Sequence, residues 1–385
     1  MTALEELKTI YRRREQTAQA WQAAGGRVAG YIGTDVPEEL LLAGGFLPLR
    51  VGGRPGSSTA LADQYLGPTF NGLARTMFNR LLDGTYAFLD RLIIPNSPEA
   101  VLRLFYYLRE IKRLEPRPEI PDFYFFELLH TRYRTSTLYN RDRVRDFKQR
   151  LEGWVGQEIT NEALRSAIAV CNENRRLLQK VARLRAEPLP RLSGVEALQI
   201  IGAAMYMLKA DHTRLLHQLL DDEERLPVHP GARLFVGGSS LDLVSFYEIV
   251  ESYNAVVVAE DNDWGNRYFD TLVDETADPL DAITDRYHYK APAPARSTIQ
   301  RRVDYCQRQA LAAGAEGAIF FILSGDNPAS WDYPEQRKAL EAHGIPTLLL
   351  HWQPYAGAGA AELRARIEPF VSAIVQPAGV TGAHP

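Results

Sequence analysis

Residues 27–51, RVAGYIGTDVPEELLLAGGFLPLRV, decide how the rest of the chain is read. An apolar run ends at Gly33. A segment beginning at Val36 then carries Glu38 and Glu39 followed by three leucines, and Gly44 and Gly45 stop it before a second apolar run at 46–51. Short apolar runs bounded by glycine read as strands, and the leucine-rich segment at 36–43 reads as a helix between them. Asp35 is a candidate cap for that helix, and the two glutamates suit its positive end. A strand–helix–strand unit of this size implies parallel strands in a sheet covered on both faces.

The alternation continues outward. Upstream, residues 1–25 read as one amphipathic helix with Leu4, Leu7, Ile10 and Tyr11 on one face. Downstream, strands are expected at 91–95 and 122–128, and helices at 69–82 and 99–111. Residues 140–220 contain no strand-like run. Helical spacing fills them, with Thr160 and Ser193 where N-caps belong. A second series then begins, with strands at 233–237, 255–260, 318–323 and 347–352 and helices at 243–252, 298–312, 334–342 and 360–375. The APAP stretch at 291–294 reads as a kinked loop and 375–385 as a frayed tail. The expected fold class is α/β, two Rossmann-like parallel-sheet domains with a helical region between them. The boundaries drawn are 1–135 for the N-terminal helix and first α/β domain, 136–230 for the helical region and 231–385 for the second α/β domain. No sequence repeat relates the two sheet regions.

Of the 385 residues, 45% are hydrophobic and 24% charged, with a net charge of −4. That balance argues against a nucleic-acid binder. The arginines of residues 141–150 alternate with Asp142 and Asp146, as on a solvated helix face. No apolar run reaches the roughly 18–20 residues that span a bilayer, and residues 1–16 lack the apolar core of a signal peptide. A cytoplasmic protein is expected. Cys171 and Cys306, the two cysteines, both fall in helical stretches. Two thiols per chain cannot supply a tetrahedral zinc site or a four-thiolate cluster, and buried structural thiols are the reading of both.

Four stretches carry a family resemblance: GYIGTDVPEELLLAGG at 30–45, LIIPNSPEAVLRLFYYL at 92–108, LFVGGSSLD at 234–242 and GAIFFILSGDNPASWDYP at 317–334. In order and spacing they resemble the 2-hydroxyacyl-CoA dehydratase / benzoyl-CoA reductase subunit family, from about residue 30 to residue 375. The resemblance implies two Rossmann-like domains facing across a cleft, and partnership in a heterodimer of related subunits. It also implies a reaction in which an ATP-dependent activator sends one electron through a [4Fe–4S] cluster to an acyl-CoA thioester. The family's cluster cysteines align with Gly33, Pro98 and Asp326 here. Glycine and proline offer no side-chain donor, and one aspartate does not replace three thiolates.

Ligands of open α/β sheets sit beyond the carboxyl ends of the strands, where these motifs fall. Thr34 lies at the mouth of the first strand, where the family often carries a small hydroxyl residue near the substrate carbonyl; capping of the next helix by Thr34 or Asp35 explains the same residues. Arg132 and Arg134, in HTRYRTS at 130–136, suit a phosphate or carboxylate, or equally a salt-bridged loop. Ser239, in GGSSL at 237–241, sits in a turn whose backbone N–H groups can meet a phosphate, and a serine-capped turn accounts for it too. Asp261, Asp263 and Asp326 can be read as an oxygen-rich metal site or, for EDNDWG at 260–265, as an Asx turn. HWQPY at 351–355 stands where the family has an acidic run.

These readings converge on a cluster-free subunit that shapes the acyl-CoA cleft or docks a cluster-bearing homologous subunit, with no cofactor in this chain, any [4Fe–4S] cluster held by the partner, and no metal. A repurposed binding protein of the same fold, and a non-redox enzyme using Asp263 and Asp326 as acid and base, are the alternatives. Neither nucleic acid nor membrane is expected as a partner.

Overall fold

The structure, a computed structural model, describes residues 1–375 except 68, 295 and 356–358. The expected tail beyond Val375 lies outside the described residues. In chain order the elements of the first part are α1 (Ala3–Arg13), α2 (Glu15–Ala23), β1 (Arg27–Ile32), α3 (Glu38–Ala43), β2 (Phe46–Val51), α4 (Gly72–Leu82), β3 (Arg91–Pro95), α5 (Glu99–Leu114) and β4 (Phe123–Phe126). Four helices follow: α6 (Arg134–Val155), α7 (Asn161–Ala186), α8 (Gly194–Ala203) and α9 (Lys209–Asp221). The second series is β5 (Ala232–Gly238), α10 (Val244–Glu251), β6 (Ala255–Glu260), α11 (Asn266–Phe269), α12 (Pro279–Tyr289), α13 (Ile299–Ala312), β7 (Gly317–Leu323), α14 (Asn327–Glu341), β8 (Thr347–Gln353) and α15 (Ala360–Val375).

The α/β expectation holds. Two four-stranded sheets form, ordered β2-β1-β3-β4 and β6-β5-β7-β8, and every paired neighbour is parallel. The two orders are one topology used twice, although no sequence repeat announces it. In each sheet the winding reverses beside its first strand, so a crevice opens between β1 and β3 and another between β5 and β7. Buried faces on both sides explain the strand composition: β2 and β7 are buried along their whole length. The largest apolar cluster is continuous through both sheets and the helices between them, from Val28, Leu49 and Ile94 through Leu178, Leu198 and Leu216 to Val236, Val257 and Ile319.

The central helices are held by specific polar contacts. Ser193 and Glu196 form a reciprocal capping box on α8, and the Thr160 hydroxyl caps α7. His212 of α9 is fully buried; its Nδ1 lies 2.8 Å from the Asn174 amide nitrogen of α7 and its Nε2 2.9 Å from the Ile200 carbonyl of α8. The buried Arg185 guanidinium, near the end of α7, donates to both Glu260 carboxylate oxygens at the end of β6.

Several expectations are corrected. The single N-terminal helix is two, broken at Arg14, whose guanidinium is drawn inward to Asp242 (2.8 Å) and the Gly53 carbonyl (3.2 Å) among the rings of Tyr11, Tyr206 and Trp264. Helix α3 starts at Glu38 rather than at 36, with Pro37 at its N-cap, so neither Thr34 nor Asp35 caps it. Its two glutamates do more than complement the helix end: Glu38 pairs with Lys209 at 2.8 Å and Glu39 with Arg175 at 2.6 Å, all buried. Helix α14 starts two turns earlier than expected, because Asp326 caps it and Pro328 sits in its first turn, where no N–H is needed. Helix α12, not anticipated, starts the same way with Asp278 and Pro279.

Candidate functional site

At the first crevice the chain leaves β1 through Gly33, Thr34 and Asp35. Gly33 has φ +70°, a region that favours glycine, and a Cβ placed there would lie 3.8 Å from the Ser97 carbonyl oxygen. Gly33 and the Ser97–Pro98 turn are therefore neighbours. Thr34 is half-buried. Its carbonyl accepts from Lys290 Nζ at 2.5 Å and its hydroxyl oxygen accepts from Arg296 at 3.1 Å. Asp35 is buried and ion-paired with Arg296. Burial alone would raise its carboxyl; Arg296, Lys290 and His130 bring it below the usual range. Burial pushes the Lys290 ammonium well down, Arg296 pushes the same way, and Asp35 opposes them. His130 is likewise lowered by burial.

Tyr289 at the end of α12, with Lys290 and Arg296 after it, links this crevice to Arg132. The Arg132 guanidinium donates to the Tyr289 carbonyl at 3.1 Å and lies 5.2 Å from the Tyr289 ring centroid. Arg134 is exposed at the start of α6 and forms no ion pair among the described residues. Thr34 and Arg132 are thus linked through Tyr289 and Lys290, and Arg134 stands exposed two residues from Arg132.

The second crevice is built from hydroxyls and carboxyls. The Ser239 hydroxyl donates to Asp326 Oδ2 at 2.6 Å and accepts from the Leu323 N–H at 2.9 Å. The Ser240 hydroxyl donates to Asp263 Oδ1 at 2.5 Å. The serines do not cap α10, which starts at Val244 without a side-chain cap. Arg50, from β2 of the other sheet, donates to Asp263 Oδ2 at 2.5 Å and to the Asp263 carbonyl at 3.0 Å. EDNDWG does form an Asx turn, with Trp264 N–H donating to Asn262 Oδ1 at 2.8 Å. The two carboxyls titrate in opposite senses. Asp326 is raised by burial with the negative charges of Asp332 and Asp263 adding, against the Ser239 hydrogen bond. For Asp263 burial acts upward too, but Arg50 and Ser240 carry it below its ordinary range.

The structure thus joins Gly33 to the Ser97–Pro98 turn on one sheet and Asp326 to Ser239 on the other. Sequence reasoning missed Arg50, Lys290 and Arg296. The signal available for the last two was KAPAPAR at 290–296, a proline loop with a cation at each end.

A four-thiolate cluster does not fit these residues. Gly33 offers only backbone, Pro98 no donor, and Asp326 a carboxyl engaged with Ser239. Cys171 and Cys306 are buried within α7 and α13, and burial pushes both thiols up. Among the described residues no group of three or more His, Cys, Asp or Glu side chains is arranged to hold a metal ion, and no helix is long and apolar enough to cross a membrane.

Two parallel sheets of one topology, each with an open crevice at its strand ends, define a two-sheet Rossmann-like α/β protein. Residues 34–374 match the family described as 2-hydroxyglutaryl-CoA dehydratase, D-component, and the chain belongs to that family. It is 25% identical over 349 residues to the (R)-phenyllactyl-CoA dehydratase beta subunit of Clostridium sporogenes, covering 89% of each chain. It is 25% identical over 356 residues to the beta subunit of the (R)-2-hydroxyglutaryl-CoA dehydratase of Acidaminococcus fermentans, covering 89% of this chain and 91% of that one. A benzoyl-CoA reductase subunit of Thauera aromatica is 23% identical over 353 residues, 88% and 89% of the two chains.

Proposed function

We propose that this chain is a cluster-free subunit of a 2-hydroxyacyl-CoA dehydratase / benzoyl-CoA reductase-type complex, which shapes the acyl-CoA cleft and docks a homologous cluster-bearing subunit. One observation carries the reading: the donor set at the two crevices, Gly33 at φ +70°, Pro98, and Asp326 bonded to Ser239, with the two cysteines buried elsewhere. The relatives, each named as one subunit of a dehydratase or a reductase, support a partner. Any [4Fe–4S] cluster belongs to that partner and would supply its electron transfer. The work of this chain is binding and orientation. The Thr34 hydroxyl accepts from Arg296, which leaves its proton to donate to a thioester carbonyl. Arg134, free of ion pairs among the described residues, is available to an anionic part of the ligand.

The test is anaerobic co-purification from the native source. A homologous cysteine-rich subunit is expected to come with this chain, and iron and sulfide are expected to follow that subunit when the two are separated. Iron that stays with this chain and disappears in Cys171→Ser or Cys306→Ser overturns the reading.

A second reading, a non-redox enzyme, is favoured by the opposite displacement of the Asp263 and Asp326 carboxyls, an arrangement that suits a base and an acid. It requires turnover by this chain alone that Asp326→Asn abolishes.

A further inference from the structure

A second polar cavity, of about 550 Å³, lies where α1 and α2 meet the loop after β2 and the end of α4. Arg12, Arg13 and Arg54 line it, together with Ser57, Ser58 and Arg80. The acidic side chains on its wall are already engaged. Glu15 pairs with Arg80 at 2.6 Å, and Asp83 Oδ1 accepts from the Thr85 N–H at 2.9 Å and hydroxyl at 2.6 Å. Arg12, Arg13 and Arg54 form no ion pair among the described residues, and all three are exposed.

Helix electrostatics accounts for part of this. Arg12 and Arg13 stand in the last turn of α1, where cations complement the carbonyl end. Arg54 has no such reason. It comes from a separate element, the turn RPGS at 54–57, closed by the Ser57 N–H donating to the Arg54 carbonyl at 3.1 Å. Pro55 and Gly56, at φ +75°, suit the two central positions of that turn. The turn brings its first and last residues together, so Arg54 and Ser57 line the same cavity from one turn. Three unpaired guanidinium groups converging from two elements, with hydroxyl donors between them, form a recognition surface for a doubly or multiply charged oxyanion.

We infer that this cavity is a binding site for the phosphate groups of a phosphorylated small molecule, separate from the strand-end crevices. Free nucleotide and the phosphate end of CoA are the two sources with this chemistry. The inference does not rest on the acyl-CoA reading of the crevices.

Calorimetry with inorganic pyrophosphate on the full chain at low salt tests it. Binding is expected, with an affinity that falls as salt is added. Arg54→Gln and the pair Arg12→Gln/Arg13→Gln are each expected to weaken it by about tenfold or more, the scale of a lost charge-assisted hydrogen bond. The thermal melt of Arg54→Gln should match the parent, since that side chain is exposed and unpaired among the described residues, and the Arg12→Gln/Arg13→Gln melt should fall only slightly, by the loss of two cations from the carbonyl end of α1. Arg143→Gln/Arg145→Gln, on the solvated face of α6, should leave pyrophosphate affinity unchanged. ADP and CoA as competitors then identify the source: since CoA carries an ADP unit, competition by CoA about tenfold or more tighter than by ADP assigns the site to CoA, and competition by ADP as tight as or tighter than by CoA assigns it to nucleotide. Absence of pyrophosphate binding overturns the inference. So does binding that survives the Arg12, Arg13 and Arg54 variants.

Discussion

Arg50 of β2 reaches across the molecule to Asp263 in the turn after β6, donating to its carboxylate at 2.5 Å and to its backbone carbonyl at 3.0 Å while lying over the Trp264 ring at 4.2 Å. One guanidinium of the first sheet thereby fixes both the side chain and the backbone of a turn at the mouth of the second.

Removing one partner leaves the other charge stranded. Arg50→Met is expected to cost about 3 kcal/mol, the scale for breaking a mostly buried ion pair, read as a shift in the urea midpoint. Adding Asp263→Asn should recover part of that loss. The Asp263 carboxyl titrates below its unfolded value, so the pair's contribution is complete above the unfolded carboxyl range and declines as pH falls toward the folded value. Urea melts at descending pH should show a shallower decline in the double variant, where Asp35 and His212 still contribute to it, than in the parent.

Asp326 has the opposite sign. Its folded carboxyl titrates above its unfolded value, so its contribution is greatest below the unfolded carboxyl range and is lost as pH rises through the folded value. Asp326→Asn keeps a good N-cap for α14 and removes a charge that burial disfavours. It should be neutral or stabilising at pH 7. Asp326→Ala removes the cap and leaves the Ser239 hydroxyl without its acceptor, and should cost about 1–2 kcal/mol. Equal melting temperatures for the two variants would contradict the assignment.

His212 supplies an acid-sensitive joint among the central helices. Burial pushes its imidazole down to about 3. The neutral ring, with an Nε2–H donor and an Nδ1 acceptor, matches the Ile200 carbonyl and the Asn174 amide. The unfolded chain takes up the proton first, near the ordinary histidine value of about 6.5. The stability tied to His212 is therefore full above that pH and falls steadily as pH drops toward the folded value. His212→Gln is expected to lower stability at pH 7 and to flatten the slope of stability against pH between about 6 and 4, measured by denaturant titration.

Gly33→Ala should cost about 1–2 kcal/mol, because φ +70° penalises any Cβ. The cost is conformational rather than steric, since the nearest atom would be 3.8 Å away. Gly33→Asn, which tolerates the left-handed region better, should lose less than Gly33→Ala in the same thermal melt.

Much of the fold was legible because it is local. Strand boundaries at Arg27–Ile32, Phe46–Val51, Arg91–Pro95 and Ala255–Glu260 follow from apolar runs bounded by turn residues. The break at Arg14 was not legible, since its cause lies at Asp242 and in three rings from other elements. Pro334 read as a helix start, whereas it sits inside α14. In the crevices, Gly33 and Pro98 were marked by the resemblance to a family whose cluster cysteines align there. The charges that surround Thr34 come from Lys290 and Arg296, more than 250 residues along, and no spacing rule links them. Arg50 was hidden for a related reason: an arginine in an apolar strand gives no hint of a partner on another sheet.

Asp242 gathers the two ends of the chain. It accepts from Arg14 at 2.8 Å and from the Tyr355 hydroxyl at 3.0 Å through its carboxylate, and from the Tyr11 hydroxyl at 2.9 Å through its carbonyl. Tyr11 precedes its acceptor by 231 residues. During synthesis the amino-terminal helix therefore leaves the ribosome first and is seated late, after both sheets have strands to offer. Contacts of this span slow folding. A fragment ending before residue 242 keeps α8 and α9, against which α1 packs, but lacks the carboxylate and carbonyl that hold Arg14 and Tyr11, so the link between α1 and α2 is fixed only once the carboxyl-terminal half is present.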